Sequence, residues 1–222
     1  MAPFPFRIVG FDLDGTLLDT SAELAASLNH ALAADGRQAM AVDEVRALIG
    51  GGGRQMLTMA LERRGGGDEA LVDRLYAVLI DHYRAHMGRD CRPYPGLMAA
   101  LDGLDAAGAI LGVATNKSEP LARALLAATG LLDRFVTVIG GDTLGPGRLK
   151  PAPDSVIEMA RRCGGGRAAF IGDSPFDVAA ARGAGVTSVA VGFGFAQVPV
   201  AALGADHSIH HYDELLPLLA SL

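Results

Sequence analysis

The sequence predicts an α/β protein, an open parallel sheet with helices on both faces, interrupted near its start by a small helical insertion. Three observations carry this. A short apolar run, Ile8-Val9-Gly10-Phe11, precedes a pair of carboxylates and reads as a buried strand. From Ser21 to about Met87 the pattern is helical with no convincing strand. Beyond the stiff stretch Asp90-Cys91-Arg92-Pro93-Tyr94-Pro95-Gly96, apolar runs and helical segments alternate to the end of the chain. Such alternation implies parallel strands joined by helices and covered on both faces. A lone first strand beside a helical block has no partner, so it must join the later sheet. The sheet domain therefore combines residues 1–19 and 93–222, and residues 20–92 are the insertion.

The elements follow in order. The first strand spans Arg7 to Phe11. Ser21 and Asp43 are helix starts, and Leu24, Leu28, Ala31 and Leu32 form a helical stripe. Gly50 to Gly53 and Gly65 to Gly67 separate successive helices. These clusters, and Gly164 to Gly166, lack the Gly-Lys-Ser/Thr ending or the Gly-x-Gly-x-x-Gly spacing of phosphate loops. Strands are expected at Ile110 to Ala114, Val136 to Ile139, Ala168 to Ile171 and Val186 to Val191. Helices are expected at Glu119 to Thr129, Asp154 to Arg162, Asp177 to Ala184 and Tyr212 to Leu219.

With 222 residues and 50% hydrophobic content, the chain can bury a substantial core. A formal charge of −6 without a basic cluster argues against nucleic acid or anionic membranes as partners. Cys91 and Cys163 show no metal or redox spacing and read as buried thiols of a reducing compartment. No apolar run is long enough to span a bilayer, and the N-terminus has no leader pattern. The expectation is a cytoplasmic, soluble protein, monomer or homodimer, acting on a small molecule.

The segment Phe11-Asp12-Leu13-Asp14-Gly15-Thr16-Leu17-Leu18-Asp19-Thr20 is the most informative. Strand alternation turns Asp12 and Asp14 to one side and Leu13 to the other. Adjacent carboxylates repel, and holding both ionised calls for a cation, with Mg²⁺ suited to hard oxygen ligands. Ligands of open parallel sheets bind beyond the carboxyl ends of the strands, and other strand ends here carry matching groups. They are Thr115-Asn116-Lys117, then Lys150-Pro151, then Gly172-Asp173-Ser174 followed by Asp177.

This ordered set resembles motifs I to IV of the haloacid dehalogenase-like hydrolases, mostly Mg²⁺-dependent phosphatases with a Rossmann-like core, and covers nearly the whole chain. The resemblance implies Asp12 as nucleophile, forming an aspartyl phosphate, and Asp14 as general acid and base. It implies that Thr115, backbone amides near Asn116, and Lys150 hold the phosphoryl oxygens. Mg²⁺ would be held by Asp12, the backbone carbonyl of Asp14, and Asp173, with Asp177 orienting Lys150 or the metal waters. A carboxylate at Asp14 disfavours the dehalogenase branch. The absence of lysine between Met1 and Lys117 closes the Schiff-base route of phosphonatases.

Residues 20–92 resemble the family's small helical cap. Leu48-Ile49-Gly50-Gly51-Gly52-Gly53 and Val138-Ile139-Gly140-Gly141-Asp142-Thr143 resemble phosphoglycolate phosphatases, implying 2-phosphoglycolate as substrate. Another small phosphometabolite, pyrophosphate, or phosphomutase chemistry are the alternatives. Arg54, after the glycine turn, is the candidate partner for a substrate carboxylate. The loop Gly192-Phe193-Gly194-Phe195-Ala196-Gln197 lacks the family's usual following histidine. His82 and His86, four apart, lack a third ligand in sequence and read as a surface pair, as do His207, His210 and His211.

Overall fold

The computed structural model describes residues 3–222. The first strand, β1 (Ile8–Phe11), is buried along its whole length, as a central parallel strand of apolar residues must be. A two-residue strand, β2 (Leu18–Asp19), leads into four helices, α1 (Ser21–Ala34), α2 (Val42–Arg46), α3 (Gly53–Arg63) and α4 (Glu69–His86). The return strand β3 (Arg92–Pro93) pairs antiparallel with β2, so the chain leaves and re-enters the sheet region through a two-stranded ribbon. The remainder alternates as α5 (Leu97–Ala106), β4 (Ile110–Ala114), α6 (Glu119–Ala128), β5 (Thr137–Ile139), α7 (Asp154–Arg162), β6 (Ala168–Gly172), α8 (Pro175–Gly183), β7 (Thr187–Val191), β8 (His207–Ile209) and α9 (Leu215–Ala220).

Six strands form one parallel sheet in the order β5-β4-β1-β6-β7-β8. Phe11 of β1 lies opposite Val113 of β4 and Ile171 of β6. That register brings Asp12, Thr115 and Asp173 out at one edge of the sheet. One face packs Phe11, Leu101, Val113 and Leu125, and the other packs Ile8, Met159, Phe170 and Ala181. The helical block buries its own cluster, Leu28, Leu32, Leu57, Leu75 and Leu79 among them, and continues onto Leu121 of α6. Leu24, Leu28, Ala31 and Leu32 are all buried, which is the stripe expected of α1.

Several elements depart from the sequence expectation. Helix α8 starts at Pro175 rather than Asp177, because Ser174 and Asp177 form a reciprocal N-terminal box. Helix α2 starts at Val42, with the Glu44 carboxylate accepting from the Ala41 amide. The C-terminal helix begins at Leu215, after a 3₁₀ turn at Tyr212–Glu214. The edge strand β8, helix α5 and the β2–β3 ribbon were not anticipated. Among the described residues no helix is long and apolar enough to cross a membrane. Cys91 and Cys163 are buried free thiols.

His82 and His86 gain a neighbour through the fold. His30 of α1 stacks on His82 with ring centroids 4.4 Å apart, and His86 also stacks on His82, at 4.2 Å. Partial burial, with His86 and His30 adding to it, lowers the pKa of His82 from 6.5. The folded state then resists a proton that the unfolded chain accepts, so stability is intact above pH 6.5 and declines as the pH falls below it. The melting temperature of the wild type should fall more steeply between about pH 7.5 and 5.5 than that of His82→Asn. Parallel melting curves for the two would remove the histidine stack as the cause.

Candidate active site

The site is built where β1, β4 and β6 end. Asp12 follows β1 directly and is buried, with its backbone amide donating to Ile171. Gly15 turns the chain back with a φ of +85°, and a Cβ there would collide with the Asp173 carboxylate. Glycine is therefore required for both conformation and proximity. Thr16 of the same turn donates to Asp173 Oδ1 at 3.3 Å, and its carbonyl accepts from the Tyr212 hydroxyl at 2.9 Å.

Lys150 is the centre of charge balance. Its ammonium reaches Asp177 Oδ1 at 2.6 Å, Asp12 Oδ1 at 2.8 Å and the Ala114 carbonyl at 2.9 Å. Burial alone would lower its pKa, but the carboxylates of Asp12 and Asp177 more than offset this and hold it raised. Asp177 also accepts from the Ser174 amide and hydroxyl, which locks its rotamer. The Phe195 amide donates to Asp173 Oδ2 at 2.6 Å. The loop carrying Phe195 thus serves this site through its backbone.

Carboxylate oxygens of Asp12, Asp173 and Asp177 lie within 4.8 Å of one another. Burial, followed by the opposing influences of Lys150 and the neighbouring aspartates, raises the Asp12 pKa to about 6. Burial and the charges of Asp177 and Asp12 raise that of Asp173 as well. Asp12 Oδ1 meets Lys150 only as an ion-pair contact, without hydrogen-bond geometry. Three buried carboxylates around one ammonium leave two formal negative charges, which one divalent cation would balance. The all-oxygen donor set suits Mg²⁺.

The sequence expectation placed Asp14 with this group. The structure turns its side chain elsewhere. Asp14 Oδ1 accepts from the Thr20 hydroxyl at 2.7 Å, and both its oxygens accept from Lys117, at 3.1 and 2.9 Å. Any contribution of residue 14 to the metal group would come from its backbone, and Asp177 stands nearer that group than its side chain does. Lys117 and Thr20 are residues that sequence reasoning left without a role.

Asp12 and Asp14 open into a cavity between the sheet edge and the helical block, lined also by Thr115, Asn116 and Lys117 and, from the helices, by Met56, Tyr76 and Tyr83. Thr115 is buried, with its hydroxyl accepting from the Lys117 amide. The Asn116 side chain is committed elsewhere, donating to the Gly50 and Lys150 carbonyls and accepting from the Lys150 amide. It straps the helical block to the sheet, leaving only its backbone amide free for a ligand. Arg54 is not on the cavity wall. It lies outside the buried stripe of α3 and pairs with Asp73 of α4 on an exposed face.

Comparison with known proteins places these features in context. Residues 9–191 match the family model described as haloacid dehalogenase-like hydrolase. The phosphoglycolate phosphatase of Agrobacterium fabrum is 42% identical to this chain, over 94% of the chain and 90% of its own length. That of Mesorhizobium japonicum is 40% identical over 96% and 94%. Among solved structures, a predicted phosphoglycolate phosphatase from Haemophilus somnus superimposes with a TM-score of 0.87 at 27% identity, covering 96% of this chain and 98% of that one.

Proposed function

Because the chain belongs to the haloacid dehalogenase-like hydrolases, we propose that it hydrolyses phosphate monoesters through Asp12, with 2-phosphoglycolate as its substrate. It is a phosphatase. The substrate reading is supported by relatives at 40–42% identity that carry that activity in their names over nearly their whole length. The observation that carries the mechanism is the juxtaposition of buried Asp12, Asp173, Asp177 and Lys150 beneath a cavity walled by Asp14 and Thr115.

Asp12 attacks phosphorus, and its fixed partner Lys150 steadies the carboxylate as the aspartyl phosphate forms. Asp14 passes a proton to the departing alkoxide, then takes one from the water that releases phosphate. The Thr115 hydroxyl and the Asn116 amide hold equatorial oxygens. Asp177, bound to Lys150 and Ser174, acts as a positioning residue. Asp12 and Asp173, with Asp177 at the same cluster, would hold Mg²⁺, which when bound supplies positive charge to the phosphoryl oxygens. Residues 20–92 act as a cap over the cavity, and residues 1–19 with 93–222 as the hydrolase core. In this reading the enzyme works in the cytoplasm on a small phosphorylated metabolite.

The test is phosphate release from a panel of phosphorylated metabolites with Mg²⁺, repeated in excess chelator. Sustained release from 2-phosphoglycolate, reduced to background by chelator, is expected. Full turnover in chelator would overturn the metal assignment. Preference for pyrophosphate or a sugar phosphate would replace the substrate, and dependence on a sugar bisphosphate primer would make the enzyme a mutase.

A further inference from the structure

We propose that Lys117 is the receptor for the substrate carboxylate, exchanging its contact with Asp14 for one with that carboxylate. This rests on the reading of the substrate as a phosphorylated small acid.

Lys117 is the only cationic side chain among the described residues that line the cavity. It is buried, with its ammonium bound to both Asp14 oxygens and 4.7 Å from the Tyr83 ring centre. Burial would lower its pKa, but Asp14 and Tyr83 outweigh that and hold it raised, so the cation persists. The other two candidates are occupied. Lys150 spends its ammonium on Asp12, Asp177 and the Ala114 carbonyl, and Arg54 pairs with Asp73 outside the cavity.

The resting arrangement is unsuited to proton transfer. Asp14 Oδ1 accepts from Thr20 and Lys117, and Oδ2 accepts from Lys117. A carboxylate so occupied presents little free lone pair to a leaving group. An incoming acid changes this. If Asp14 sits one hydrogen bond from the bridging oxygen, Lys117 lies within about 6 Å of that oxygen. A carboxylate one carbon from the bridging oxygen falls in that gap. It offers Lys117 an oxygen pair equivalent to that of Asp14. Tyr83 lines the same cavity, and its buried hydroxyl makes no hydrogen bond of good geometry among the described residues, so it is available as a second donor. Once Lys117 has moved over, the Asp14 oxygens it occupied are open to the substrate. A phosphate ester without a carboxylate offers Lys117 no second anionic group to draw it from Asp14. Selectivity for an acid would therefore appear in kcat as well as in KM.

The experiment compares 2-phosphoglycolate with ethyl phosphate, which replaces the carboxylate by a methyl group, in wild type, Lys117→Met and Lys117→Gln, with Lys117→Arg as the conservative control. Wild type should prefer the acid. The preference, expressed as the ratio of kcat/KM, should fall about thirtyfold or more in the Met and Gln variants and be largely kept by Arg. Both kcat and KM for the acid should worsen. A preference unchanged in the neutral variants would overturn the role of Lys117 while leaving the substrate reading intact. A wild type with no preference for the acid would overturn both. Lys117→Gln keeps a donor for Asp14, and cooperative melting identifies the variant that carries the comparison.

Discussion

Asp12→Asn should reduce phosphatase turnover by about 10⁴-fold or more and abolish any covalently trapped phosphoryl group. Asp12 leaves β1 in a fixed direction, is buried, and is held by Lys150 at 2.8 Å, so no neighbouring side chain can substitute for its attack. The amide is close in shape, and the surrounding packing should survive. It also removes one buried negative charge from the group it shares with Asp173 and Asp177. Thermal stability in chelator should therefore hold or rise while activity vanishes. Asp14→Asn is expected to behave differently, slowing both formation and hydrolysis of the phosphoenzyme without preventing phosphoryl transfer outright. Quenched-flow mass spectrometry of the two variants distinguishes the roles. A phosphorylated peptide from Asp12→Asn would show that another residue is the nucleophile.

How much of this was legible in the sequence depends on how local each signal is. Asp12, Asp14 and Gly15 lie within one strand end and one turn, where side-chain alternation and φ are decided by neighbours in sequence. The sheet was readable for a similar reason, because β1, β4, β6 and β7 are apolar and buried almost throughout. Strand β8, His-Ser-Ile at the sheet edge, has only one buried residue and offers no such run. The β2–β3 ribbon is two residues long and exists only because Leu18 and Pro93 are brought together across the helical block.

Site residues that failed to show themselves did so through distance. Lys117 was visible as part of Thr115-Asn116-Lys117, but its meaning comes from Asp14, 103 positions earlier. The phosphate contact expected near Asn116 belongs to its backbone amide, but its side chain's bonds to the carbonyls of Gly50 and Lys150 join segments far apart in sequence and could not be read there. Arg54 was misjudged by helix phase. Met56, Leu57, Ala60 and Leu61 define the buried face of α3, and Arg54 falls off it toward Asp73. Proximity to a glycine turn does not decide which way a helical side chain points.

Lys150→Met should be the most destabilising single change at the site, by about 3–5 kcal/mol in chelator at neutral pH, since it strands buried carboxylates that had one shared counter-charge. Urea denaturation is the appropriate measurement, because the slope reports whether the native state has loosened as well as weakened. Adding Asp177→Asn to this variant should recover a substantial part of the lost stability, as it removes the carboxylate that sits 2.6 Å from the missing ammonium. It should not recover activity, because Asp12 still lacks its partner. Mg²⁺ should also stabilise the single variant, provided the carboxylate group still binds it, by an amount that grows with the logarithm of its concentration. Recovery of stability without activity in the double variant would separate the two duties of Lys150, charge balance and steadying the Asp12 nucleophile. Additive losses in the cycle would instead mean that Lys150 and Asp177 act independently, against the geometry that joins them.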